Sequence, residues 1–173
     1  MSASKSSPKE LRRRRRDRRH SCWDHLIVAP LWVAYKVNLG TLLRTCDAVG
    51  ACIAVPDSPH YREALRAGDT LPRGRRPCVH WIRTGKGRWI ADRRAAGWRV
   101  VAVELADGST PLPLLEPARQ RTVLLLGHER EGIPEELVES ADACIEIPMV
   151  GVGASLNVAV AGSLVLYRLA GMA

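Results

Sequence analysis

Short apolar runs alternate with stretches of helical period from residue 25 to residue 170. HLIVAP (25–30) predicts a strand. In VNLGTLLRTCDAVGA (37–51), Leu39, Leu42, Leu43, Cys46 and Val49 share one face of an amphipathic helix. Gly40 and Arg44 lie one turn apart and point away from that face. ACIAVPD (51–57) predicts a second strand, and YREALRAG (61–68) a short helix that Gly68 ends. A basic loop rich in Pro, Gly and Arg follows up to Cys78. CVHWI predicts the third strand, GRWIADRRAAG a helix stopped by Gly97, and WRVVAVEL the fourth strand before a Pro-rich crossing. RTVLLLGHE (121–129) is the fifth strand and runs into a tight turn, PEELVES opens a helix at its Pro, ACIEIPM is the sixth strand, and 154–170 the last helix.

This order predicts an α/β fold, a mostly parallel sheet with helices on both faces. Ligands bind such sheets at the carboxyl ends of the strands, which places the turns after Glu104, Leu126 and Ile147 near any site. No internal repeat or linker interrupts residues 23–173, so they are read as one domain.

Charge sharpens that picture. The 173 residues carry a net charge of +8, which points to a polyanionic partner. Residues 1–22 carry +7 and residues 60–100 carry +8, whereas residues 101–173 carry −6. The basic arm at 1–22 reads either as a disordered, solubilising tail or as a nucleic-acid tether. It is not a secretory signal, because the apolar stretch after it is broken by Pro30 and followed by no small-residue cleavage pattern. No apolar run reaches membrane-spanning length. The five cysteines (22, 46, 52, 78 and 144) are odd in number and form no C-x-x-C pair. That spacing argues for reduced thiols in the cytoplasm, and against a disulfide framework or a zinc site.

Three stretches carry candidate chemistry. The last helix, SLNVAVAGSLVLYRLA, is apolar nearly all round and is expected to be buried. Capping explains Ser155 at its start well and Asn157 poorly. A buried Asn157 needs partners for both halves of its amide, so it either braces a neighbouring loop or touches a ligand. The preceding GVGAS fails the dinucleotide fingerprint, since residue 156 is Leu, and fails the hydrolase elbow, since residue 157 is Asn. In LLLGHEREGIP, Gly127 and Gly132 let the backbone turn sharply beside Glu129 and approach a flat ligand.

Taken in order, Asn38-x-Gly40-x-x-x-Arg44, Leu125-x-Gly127-x-Glu129-x-x-Gly132, and Ile147-Pro-Met149 followed by Ser155-Leu-Asn-Val158 resemble the three motifs of the SpoU, or TrmH-like, RNA ribose methyltransferases. The resemblance extends over about residues 25–170. It implies a SPOUT-type fold in which the C-terminal segment threads a loop to form a trefoil knot, a topology that general rules of chain connectivity would exclude. It further implies S-adenosylmethionine as cofactor, bound by turns near Val103, Gly127, Ile147 and Leu156, and a homodimer whose site is completed across the interface.

The implied reaction is attack of a ribose 2′-OH on the sulfonium methyl. By the same resemblance Arg44 is the favoured base, assisted by Ser155 and Asn157, while Asn38 and Glu129 are better suited to bracing the site and the dimer than to reacting. A guanidinium stays protonated in proteins, so Arg44 is better suited to fork onto an RNA phosphate and hold the ribose in line. The RTCDAVGA phrasing resembles that of tRNA-modifying members, which implies tRNA as substrate, with rRNA as the alternative. A knotted RNA-binding protein without catalysis is the reading from a different class, and Arg44, Ser155 and Asn157 argue against it.

Overall fold

A computed structural model of the protein describes residues 26–67, 78–153 and 155–173. The arm at 1–22 and the basic loop before Cys78 lie outside the described residues.

Seven strands are present: β1 (Leu26–Ala29), β2 (Cys52–Pro56), β3 (Val79–Ile82), β4 (Arg99–Val103), β5 (Thr110–Pro111), β6 (Thr122–Leu126) and β7 (Ala143–Glu146). Between and after them run helices α1 (Lys36–Val49), α2 (Pro59–Ala67), α3 (Lys86–Ala95), α4 (Glu135–Glu139) and α5 (Val158–Leu169). The strands form one sheet in the order β3-β2-β1-β6-β4-β7-β5, and every pairing is parallel. The expected α/β class is therefore the observed one.

Both faces of the sheet are covered, which is why its strands read as continuous apolar runs. Successive side chains alternate sides. Leu26, Val28, Ile53, Val55, Val101, Leu124 and Leu126 enter one core with Leu39, Leu42 and Leu43 of α1 and Val165, Leu166 and Leu169 of α5. Their neighbours Ile27, Ala29, Cys52, Ala54, Val100, Ala102, Val123 and Leu125 enter the other, against Ile90 of α3 and Trp98. Burying the central strands on both sides secures the sheet, and β6 is buried along its whole length.

The crossing after β4 departs from the expected irregular chain. It holds the two-residue β5 and a single 3₁₀ turn, Leu112–Leu114. Val103 of β4 and Thr110 of β5 both register with Ile145 of β7, so residues 104–109 pass across the carboxyl end of β7. Glu104 N–H donates to Ile145 O at 3.1 Å and Ser109 Oγ donates to Glu146 Oε2 at 2.8 Å, which fastens that crossing down.

Three other expectations need correction. The last helix begins at Val158 rather than at 154, because Asn157 has extended backbone angles and stands outside it as the cap. Nor is that helix buried all round: Val160, Leu164 and Tyr167 are exposed along one stripe, while the opposite face carries the core contacts. In α1, Gly40 is buried rather than facing away from the core with Arg44.

Candidate active site at the carboxyl ends of the strands

β4, β6 and β7 end side by side. Val103 registers with Leu126 on one side and Ile145 on the other. Gly127 directly follows Leu126 and Ile147 lies two residues beyond Ile145, so three of the four expected cofactor contacts gather at one end of adjacent strands. The fourth, Leu156, is exposed just ahead of α5.

The turn after β6 is tightly built. His128 and Gly132 exchange both main-chain hydrogen bonds at 2.9 Å, and His128 Nδ1 accepts from Arg130 N–H at 3.1 Å. The chain folds back so closely that a Cβ on Gly127 would lie 2.6 Å from Gly132 O and Ile133 N. Gly132 has φ +70°, in the left-handed region open to glycine. Glu104 closes the turn from the neighbouring strand, since its Oε2 accepts from Ile133 N–H at 3.0 Å. That brace was not expected, because nothing in the spacing links Glu104 to a residue 29 positions on.

Glu129 projects from this turn toward the chain that leads into α1. Its carboxylate accepts from Ala34 N–H and Tyr35 N–H, both at 3.0 Å, and from Asn38 Nδ2 at 2.7 Å. Asn38 Oδ1 in turn accepts from Asn157 Nδ2 at 3.0 Å. Asn157 Oδ1 accepts from Ala159 N–H at 2.9 Å and Val160 N–H at 3.2 Å, capping α5. The orientation of each amide follows from its neighbour. With Asn157 Oδ1 taken by the helix, its Nδ2 faces Asn38 Oδ1, which leaves Asn38 Nδ2 to face a carboxylate that only accepts. One run of hydrogen bonds thus ties together the three stretches singled out in the sequence.

Glu129 is poised to stay ionised in this setting. Burial alone would raise its carboxyl, but the donors at Ala34, Asn38 and Tyr35 outweigh burial and hold it below the ordinary carboxylate value.

The capping roles are the reverse of those expected. Asn157 is the cap, and Ser155 is exposed with no hydrogen bond among the described residues. Asn157 is itself exposed rather than buried, so its amide braces α1 from the surface. Arg44 lies six residues beyond Asn38, about 120° around the helix axis. It is exposed, with no ion pair or hydrogen bond among the described residues. Within one chain Arg44 does not join Glu129, Asn38 and Asn157. Beside it Thr45 Oγ1 and Ser163 Oγ, 2.9 Å apart, fasten α1 to α5, a cross-helix contact absent from the sequence expectations.

On the β1 side of the same turn, an open groove of about 530 Å³ is lined by Trp32, Tyr61, Lys86, His128 and Glu131 among others. Lys86 Nζ sits 5.3 Å from the centre of the Trp32 ring, and burial lowers its pKa from the usual lysine value.

The SpoU rRNA Methylase family matches residues 25–167. The tRNA (guanosine(18)-2′-O)-methyltransferase of Escherichia coli strain K12 is 31% identical over 138 residues, 76% of this chain and 56% of that protein. An AdoMet-bound rRNA methyltransferase from Sinorhizobium meliloti superposes with TM-score 0.69 at 33% identity, covering 84% of this chain and 55% of that one. The Aquifex aeolicus TrmH/SpoU tRNA modifying enzyme superposes with TM-score 0.72 at 26% identity, covering 95% and 82%. The chain therefore spans about half the length of the first two. By the extent of the family match, and by the ordered motifs it encloses, this chain belongs to the SpoU rRNA Methylase family.

Proposed function

We propose that the chain is the catalytic domain of an S-adenosylmethionine-dependent RNA 2′-O-methyltransferase, acting as a homodimer in the cytoplasm on a ribose of tRNA. The observation that carries this reading is the run Glu129–Asn38–Asn157, which fastens the turn after β6, the start of α1 and the start of α5 into one unit. The tRNA and rRNA methyltransferases among its relatives support the reaction class. The motif phrasing in α1 favours tRNA.

The residues fit the cofactor. Gly127 leaves no room for a side chain, so the turn presents main chain, and Val103, Ile147 and Leu156 offer apolar surface around it. Bound S-adenosylmethionine supplies a methyl made electrophilic by its sulfonium. Val103, Gly127, Ile147 and Leu156 hold it, with the 104–109 crossing over β7 serving as the loop of a trefoil knot.

Arg44 grips an RNA phosphate through its planar fork, and Ser155, whose exposure supports the role, orients the ribose hydroxyl. Asn38, Asn157 and Glu129 keep those groups in register. The exposed apolar stripe of α5, Val160, Leu164 and Tyr167, supports dimerisation, and Val37 and Arg44 of α1 are exposed as well. A second copy seated there brings Arg44 of one chain toward the carboxyl-end turns of the other.

The test is methyl transfer from radiolabelled S-adenosylmethionine to unmodified tRNA and to rRNA fragments, with the product nucleosides identified by mass spectrometry. A 2′-O-methylnucleoside in tRNA is expected. Product in rRNA alone would move the substrate, and no transfer with measurable RNA binding would leave a knotted RNA-binding protein.

A further inference from the structure

The parallel register of β2 and β3 builds a cluster that sequence spacing conceals. Ile53 pairs with Val79, and Ile53 N–H donates to Cys78 O at 2.9 Å, so Cys52 and Cys78 stand on neighbouring strands at the same level. Both belong to the core face formed with Ile27, Ala54 and Ile82. His80 lies two residues beyond Cys78, and the two-residue period of a strand returns it to that side. Cys78 Sγ and His80 Nε2 are 3.3 Å apart, and one donor atom from each of Cys52, Cys78 and His80 lies within 4.8 Å of the others.

We infer that Cys52, Cys78 and His80 form a zinc site. Two thiols and an imidazole are the donors that Zn²⁺ takes, at about 2.3 Å to sulfur and about 2.0 Å to nitrogen. Tetrahedral angles at those lengths separate two sulfurs by about 3.8 Å and sulfur from nitrogen by about 3.5 Å. The observed spacing needs shifts of only a few tenths of an ångström to about an ångström, within reach of side-chain rotation. Binding displaces the two thiol protons to solvent, so the site gains two thiolates and leaves the bound ion uncharged overall.

Cys52 is fully buried while Cys78 and His80 are half-buried, so the core walls one side of the ion. The cluster sits at the amino ends of β2 and β3, opposite the carboxyl-end turns. Its role is to tie β3, at the sheet edge, to β2. It is independent of methyl transfer.

Full-length protein purified with a reductant and desalted should carry close to one zinc per chain by elemental mass spectrometry. After chelation, Co²⁺ should restore an intense visible spectrum of tetrahedral type with a near-ultraviolet thiolate charge-transfer band. Cys78→Ser and His80→Gln, both at half-exposed positions, should remain folded by circular dichroism and lose at least tenfold in zinc affinity. Cys144→Ser, outside the cluster, should retain the metal. Folded, reduced protein that binds no zinc at micromolar metal would overturn the inference. So would zinc retained by both variants, or a Co²⁺ spectrum without charge transfer.

Discussion

The turn after β6 and the segment that leads into α5 serve the same end of the sheet and are built in opposite ways. The first is pinned from every side: by the His128–Gly132 pair, by Glu104 reaching from β4, and by Glu129 reaching to α1. The second is held only at its end. Among the described residues, Val150 to Gly153, Ser155 and Leu156 make no hydrogen bonds, and Val150 and Val152 are fully exposed. A Cβ on Gly151 or Gly153 would meet nothing within 4 Å. The contrast separates two contributions to a site. One turn is a preformed cradle whose glycines are dictated by its own backbone, and the other carries glycines that its own packing does not require.

The largest effect should come from breaking the cradle. Gly127→Ala places a methyl group against main-chain atoms that cannot rotate away, and should cost about 3 kcal/mol or more in chemical denaturation. Gly153→Ala is the matched control and should stay within about 0.5 kcal/mol. Equal costs at both positions would erase the distinction between the two segments.

Next in size is the carboxylate. Glu129→Gln keeps the shape but turns one of the accepting oxygens into a donor facing other donors, and should cost about 2 kcal/mol at neutral pH. The folded-state pKa of Glu129 lies below its unfolded value, so the stability it contributes is complete above about pH 4.5 and is lost as pH falls through the lower folded value. Melting curves of wild type and Glu129→Gln should therefore converge in acid. A gap that widens below pH 4.5 would mean that the donors around Glu129 do not favour its charge.

These tests bear on features of unequal legibility in the sequence. Strands buried on both faces leave apolar runs that can be read directly, and the six main strands stand where those runs lie. Their order does not follow, since β6 enters between β4 and β1, and Thr122 pairs with Leu26, 96 positions earlier in the chain. β5 is two residues long, too short to leave a period. The motif residues could be named, but not their pairing. Ser155 and Asn157 are both good caps, and only the extended backbone at 157 decides between them. Glu104 and the Cys52–Cys78–His80 cluster were hidden for a common reason: each depends on strand register rather than on spacing along the chain.

A smaller effect is expected where the loose segment becomes α5. Asn157→Ala removes the acceptor for Ala159 and Val160 N–H and should cost about 1 kcal/mol. Asn157→Asp sharpens the point, because Asp keeps the cap but cannot donate to Asn38 Oδ1. If the amide serves only the helix, Asp should match wild type in both stability and turnover. If it aligns α1 with the cradle, Asp sets an acceptor against Asn38 Oδ1 and should melt below wild type and lose methyl transfer along with Ala.

The smallest effect on folding should be at Arg44, where the proposed function predicts the greatest effect on chemistry. Its side chain is exposed and bonded to no described residue, so Arg44→Ala should shift stability by less than about 0.5 kcal/mol. The same variant should abolish nearly all methyl transfer while leaving S-adenosylhomocysteine binding intact, which calorimetry can measure. Arg44→Lys then divides charge from geometry. Lysine preserves the attraction for phosphate but not the planar, two-pronged contact, so RNA affinity should fall modestly and turnover steeply. Mixing inactive Arg44→Ala chains with inactive Gly127→Ala chains tests where the arginine acts. Should a dimer use Arg44 from one chain at the cradle of the other, the mixture regains activity at the one site that combines intact halves. An inactive mixture of exchanging dimers would place Arg44 at the cradle of its own chain, and α5 would lose its part in completing the site.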